Sequence, residues 1–126
     1  MIIIIFILLL SLIFYGCTEE NKKISPHEAK QLIDDNKVII IDVRSQEEYE
    51  EERLKNAILL PLEAIESNAK NVFPDLERIY LVYCQTGKRS CEAVEIFKNL
   101  GFKEVYAIGG LDDWPYEKEK HNQENK

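Results

Sequence analysis

A chain of 126 residues, 45% of them hydrophobic, is long enough for one domain with a packed core and too short for two of ordinary size. Its 23 acidic and 16 basic side chains give a formal net charge of -7, which excludes a protein that grips nucleic acid by neutralising phosphates and requires any anion site to be local. The three cysteines, Cys17, Cys84 and Cys91, are too few for a disulfide scaffold; with no Cys-x-x-Cys pair, and with His27 and His121 distant, they form no zinc set and no metal is expected.

The first element in chain order is MIIIIFILLLSLIFY, an apolar run broken only by Ser11, which ends at Gly16-Cys17 and meets the polar stretch Thr18-Glu19-Glu20-Asn21-Lys22-Lys23. A small residue directly before a cysteine at such a boundary resembles the lipobox of bacterial lipoproteins, although Phe14 and Tyr15 stand where aliphatic and small residues are customary. The resemblance implies a signal peptide over residues 1–16, lipid attachment at Cys17, a tether over 17–23, and an exported domain anchored at the outer face of a bacterial membrane. As a helix the run would cover roughly 24 Å, short of the roughly 30 Å hydrocarbon core, so an uncleaved span is the weaker alternative.

Ser25-Pro26-His27-Glu28 has the spacing of a capping box with proline at the first helical position, and predicts a helix carrying Ala29, Leu32 and Ile33 on its apolar stripe. The β-branched run Val38-Ile39-Ile40-Ile41 predicts a strand buried on both faces, with Asp42 and Arg44 at its end. Glu47 to Leu54 reads as a charged helix with a solvated face, Ala57 to Leu60 as a short strand stopped by Pro61, and Leu62 to Ile65 as a short helix before a loop closing near Pro74. Ile79 to Tyr83 is a strand that delivers Cys84 at its carboxyl end. Cys91 to Leu100 is an amphipathic helix ended by Gly101, and Val105 to Ile108 is a further strand. Alternating helices and strands predict an α/β domain over 24–118 with an open parallel sheet, a polar tail over 119–126, and a site beyond the carboxyl ends of the strands.

The segment Cys84-Gln85-Thr86-Gly87-Lys88-Arg89-Ser90 joins a buried strand to a helix amino terminus, where backbone N–H groups converge on whatever occupies the centre. Gly87 permits the tight path, Ser90 is placed to cap the following helix, and Lys88 with Arg89 adds local positive charge that favours thiolate at Cys84. A thiolate among N–H donors can attack the outer sulfur of a sulfane donor and then be stabilised as a persulfide.

This loop resembles the six-residue active loop of the rhodanese family, Cys-x-x-x-x-Arg followed by Ser. Further matches are Ile41-Asp42-Val43-Arg44 with Glu47-Glu48-Tyr49, Ala57 and Pro61, and Tyr106-Ala107-Ile108-Gly109-Gly110 leading to Trp114. The resemblance implies a sheet with helices on both faces and a single-domain sulfurtransferase in which Cys84 is the nucleophile. It further implies that Gln85, Thr86, Gly87, Lys88 and Arg89 form the substrate pocket, with Asp42, Arg44 and Ser90 in support. It also implies a small sulfane-sulfur donor such as thiosulfate, a thiol or cyanide acceptor and no cofactor; the acidic balance speaks against a nucleic-acid partner, and a monomer is expected. The family's Gly-His-x-x-Gly-Ala segment is here Glu52-Arg53-Leu54-Lys55-Asn56-Ala57, where Asn56 can take the left-handed conformation of the lost glycine.

Two other chemistries use similar parts. Phosphatases and arsenate reductases built on a cysteine cradle place five residues between Cys and Arg, whereas Cys84 and Arg89 are separated by four, giving a smaller cradle. A thiol redox protein pairing Cys84 with Cys91, and a noncatalytic binding module of the same fold, are the remaining alternatives.

Overall fold

The computed structural model describes residues 22–121. The expectations for the signal segment, for Cys17 and for residues 122–126 lie outside the described residues. Helix α1 (Pro26–Asp34) starts at Ser25, whose hydroxyl accepts the Glu28 N–H at 3.2 Å, and buries Ala29. It leads into β1 (Val38–Asp42), the short helix α2 (Gln46–Glu51), β2 (Glu52–Leu54) and β3 (Ile58–Leu59). After a 3-10 turn over Leu62–Ala64 come α3 (Ile65–Val72), β4 (Ile79–Cys84), α4 (Lys88–Asn99), β5 (Glu104–Gly110), a second 3-10 turn over Leu111–Asp113 and β6 (Lys118–Lys120).

Four strands form a parallel sheet in the order β3-β1-β4-β5, so the two central strands are the apolar runs Val38–Asp42 and Ile79–Cys84. Side chains on a strand alternate between faces. In β4, Tyr80, Val82 and Cys84 therefore pack with α3 and α4 residues such as Ile65, Ala69, Ala93, Val94 and Phe97, while Leu81 and Tyr83 pack on the other face with Ala29, Leu54, Leu111 and Trp114. Apolar layers on both faces are what a parallel sheet requires, and they make the expected α/β architecture.

Several expected elements differ in extent. The predicted helix over Glu47 to Leu54 stops at Glu51, because Glu52–Leu54 pairs antiparallel with Lys118–Lys120 in a separate two-stranded sheet. The first residues of the predicted polar tail are thus strand. The predicted loop before Pro74 is instead largely α3, whose Ile65 and Ala69 lie four residues apart on one buried face, with Phe73 buried just beyond its end. Helix α4 begins at Lys88 rather than Cys91, since Gly87 turns the chain directly into it at φ 106°. Strand β5 extends from Glu104 to Gly110, beyond the predicted Val105 to Ile108. Asn56 does adopt the left-handed conformation, at φ 64°, and Trp114 is packed in the interior at 7% exposure.

The α3/α4 layer closes on an aromatic chain. Phe73 and Tyr80 have centroids 5.3 Å apart, Tyr80 and Phe102 meet edge-on at 5.4 Å, and Phe102 and Phe97 do so at 5.1 Å. Phe97 is fully buried, so Phe97→Ala is expected to cost about 3–5 kcal/mol. Urea denaturation checks this, and an unchanged midpoint would show that the layer closes without that ring.

Candidate active site

Cys84 is the last residue of β4, where the register with β5 shifts so that Cys84 lies opposite Gly110. The loop that follows rests directly on the end of β5. A Cβ on Gly110 would come within 2.2 Å of the Gln85 carbonyl oxygen, so that close approach needs glycine.

Sulfur lies where a helix cap would otherwise be. Gly87 is the N-cap residue of α4 and has no side chain to offer, and the thiol takes the free amides: Gly87 N donates to Cys84 Sγ at 3.0 Å and Ser90 N does so at 3.3 Å. Ser90 therefore does not cap the helix as expected. It is the third residue of α4, and its hydroxyl donates to the Gly87 carbonyl at 2.9 Å while lying 3.6 Å from Sγ and 3.3 Å from the Gly109 carbonyl oxygen. Cys84 is a free cysteine at 1% exposure and is not joined to Cys91, the bond that the thiol-redox alternative requires in its oxidised form.

Below the loop lies a buried charge network. Arg44 Nε donates to both Asp42 carboxylate oxygens at 3.1 and 3.2 Å, and Nη2 adds a bond of 2.8 Å. The Tyr83 hydroxyl donates to Asp42 Oδ2 at 2.6 Å and accepts the Leu54 N–H at 3.1 Å. Arg44 also reaches outward, donating from Nη2 to the Glu52 carbonyl at 2.6 Å and from Nη1 to Gln85 Oε1 at 2.9 Å. Gln85 passes the link on through its amide nitrogen to Asp112, whose own N–H donates to the Gln85 carbonyl at 3.2 Å. Burial works against the Arg44 charge, but the hydrogen bonds and charge of Asp42 outweigh it and raise its pKa above the ordinary arginine value. Burial first, and then the Asp42 carboxylate, push the Tyr83 hydroxyl far above the usual phenol range, so it stays a donor.

The loop cations behave differently from one another. Arg89 is held by Glu48 through two parallel bonds, Nη1 to Oε1 at 2.8 Å and Nη2 to Oε2 at 2.9 Å. Glu48 is itself fixed at the start of α2 by a capping box with Ser45. Lys88 is exposed and, among the described residues, makes no ion pair; Thr86 is exposed beside it. A cavity of about 860 Å³ opens next to Thr86, Gly87, Lys88 and Gly109.

The structure thus brings Cys84, the loop from Gln85 to Arg89, Ser90, Asp42 and Arg44 to one end of the sheet. Sequence reasoning left out Tyr83, Asp112 and the ion-pairing role of Glu48. The Ser45-x-x-Glu48 spacing was a legible sign that Glu48 is fixed and not simply solvated, whereas Tyr83 and Asp112 carry no local signal.

Comparisons with known proteins bear on this geometry. A family model described as Rhodanese-like domain matches residues 25–117. The thiosulfate sulfurtransferase GlpE of Coxiella burnetii is 38% identical over 94 residues, which cover 74% of this chain and 86% of that protein. The thiosulfate sulfurtransferase PspE of Escherichia coli is 37% identical over 73 residues, 58% of this chain and 70% of that protein. Among solved structures, a rhodanese with anions from E. coli aligns with a TM-score of 0.62 at 35% identity, covering 66% of this chain and 98% of that one. A rhodanese-like domain from Anabaena, at 21% identity and a TM-score of 0.72 over 85% of each chain, shares the fold.

Replacing Asp42 with Asn leaves the buried Arg44 charge without its counterion. We expect a loss of about 3 kcal/mol or more in chemical denaturation, and a loss below about 1 kcal/mol would contradict the network's structural role. The hydrogen bonds from Arg89, foremost, hold the Glu48 carboxyl down to about 2. A folded-state pKa below the unfolded one stabilises the protein above the ordinary carboxylate range, and that stabilisation is lost as pH falls toward 2. The stability difference between the wild type and Glu48→Gln should therefore be largest above pH 5 and vanish near pH 2; a difference that does not vary with pH would show that the pair contributes nothing electrostatic.

Proposed function

This chain belongs to the rhodanese-like domain family and is a rhodanese-type sulfurtransferase, and on that premise we propose that Cys84 carries the transferred sulfur as a persulfide. The observation that carries the proposal is the pair of amides, Gly87 N and Ser90 N, that donate to Cys84 Sγ at 3.0 and 3.3 Å. Donors aimed at sulfur from a helix amino terminus favour negative charge there, whether on a thiolate or on the outer atom of a persulfide.

With thiosulfate as donor, the Cys84 thiolate attacks the outer sulfur. A Cys84 S–S bond forms, the donor S–S bond breaks with its electron pair leaving on sulfite, and the negative charge stays on the terminal persulfide sulfur. An acceptor nucleophile then attacks that terminal sulfur. Cyanide would leave as thiocyanate and return Cys84 to the thiolate; a thiolate acceptor would leave as its own persulfide. Electrons balance in both halves without an added oxidant or cofactor.

In this reading Gly87, through its amide, and Ser90, through its amide and hydroxyl, surround the sulfur. Arg44, fixed by Asp42, holds Gln85, and Thr86 and Lys88 border the adjacent cavity where a donor or acceptor would rest. The 1% exposure of Cys84 favours donors whose reactive sulfur is terminal and narrow. The apolar run ending at Gly16-Cys17 supports an exported domain held at a membrane by a lipid on Cys17.

Intact mass of the full chain in detergent, recorded without reductant after incubation with thiosulfate, tests the persulfide. We expect the gain of one sulfur atom, abolished in Cys84→Ser, retained in Cys91→Ser, and discharged by cyanide. Sulfur that loads without Cys84, or a loss of two hydrogens that needs both Cys84 and Cys91, would overturn the assignment.

A further inference from the structure

Of the arginines at and beneath the loop, both are already neutralised. Arg44 is paired with the buried Asp42, and Arg89 is paired with Glu48, leaving Lys88 as the loop cation that makes no ion pair among the described residues. The Glu48–Arg89 pair joins the first turn of α2 to the first turn of α4. Cations at a helix amino terminus oppose its dipole, and Arg89 lies in the first turn of α4, which contains no acidic residue. Glu48 supplies the missing negative charge from another element.

Glu48 is also held firmly. Its Oε1 accepts the Ser45 N–H at 3.2 Å and the Ser45 hydroxyl at 3.1 Å, while both carboxylate oxygens are taken by Arg89. A carboxylate so fixed does not swing aside for an incoming anion, and the arginine whose two outer nitrogens it holds cannot turn them to a donor without breaking two charge-assisted bonds.

We infer that Glu48 is a positioning residue that sets the charge of the sulfur donors the loop accepts: by holding Arg89 and offsetting its charge, it shifts preference from dianionic donors toward donors of lower charge. The inference rests on the sulfur-transfer reading of Cys84. An alternative in which the pair only docks α2 against α4 predicts altered stability without a change in donor discrimination.

Two donors with the same transferable sulfur and different charge separate these readings: thiosulfate, a dianion, and methanethiosulfonate, a monoanion. The measured quantity is the donor concentration that half-saturates the rate of Cys84 sulfur loading, followed by mass in the full chain at fixed low ionic strength. Glu48→Gln keeps an oxygen for the capping box and removes the charge. Because Coulomb attraction scales with donor charge, the half-saturating concentration should fall about tenfold for thiosulfate and only about threefold for methanethiosulfonate. Arg89→Gln, which leaves the Glu48 charge unopposed, should raise both, thiosulfate more. The double variant restores the net charge and should return the ratio between the donors to the wild-type value.

Equal shifts for the two donors, or a double variant that fails to restore the ratio, would overturn the inference while leaving Cys84 as sulfur carrier. Should Glu48→Gln fail to fold, Arg89→Gln decides in the same way, since a rise equal for both donors speaks for docking alone. Failure of the wild type to load sulfur from either donor would remove the sulfur-transfer reading itself, and the inference with it.

Discussion

Burying an ion pair costs several kcal/mol per ion before any attraction is recovered, and the cost is offset only when the remaining donors and acceptors are satisfied as well. Asp42 and Arg44, at 0% and 2% exposure, meet that condition by recruiting three other parts of the chain. Tyr83 comes from β4, Leu54 and Glu52 from β2, and Gln85 from the loop after Cys84. No described buried side-chain nitrogen or oxygen is left without a partner. The network therefore fixes where the carboxyl ends of the two central strands lie relative to each other, and the loop inherits its position from them.

On that base, a structural need and a chemical one are met by the same atoms. The start of α4 has amides without intrahelical partners, as every helix does, and here they turn to a sulfur atom instead of a serine or aspartate oxygen. The donors that meet the Cys84 sulfur are thus those the helix must satisfy anyway. Gly87 at φ 106° and the absence of a side chain at Gly110 let the loop come close enough for the arrangement to form.

Much of this was legible from residue patterns, and the reasons for the misses are physical. The central strands were readable because β-branched runs buried on both faces have little other use in an acidic domain of this size. The Cys84 loop was readable from the order of its residue types. Helix α3 was missed because Ser67, Asn68 and Asn71 dilute its apolar signal, and its stability comes from the packing of Ile65, Ala69 and Phe73 against the sheet. Strand β2 was read as helix because Glu52 and Arg53 are good helix formers; its partner β6 lies more than sixty residues away, and no local pattern carries that pairing. Ser90 was assigned the capping role on residue type, a rule that does not anticipate sulfur as the acceptor.

The segment just before α1 has its own significance for the sheet's borders. Lys22 and Ile24 exchange backbone hydrogen bonds with Ala107 at 2.7 and 3.0 Å, which lays the chain along the outer side of β5. The opposite border, β3, is only two residues long. A parallel sheet with exposed rims is a template for a stranger's strand, and here one rim is covered at Ala107 in the middle of β5 while the other is short. Both features narrow the ladder left open to edge-to-edge pairing when many copies are crowded together.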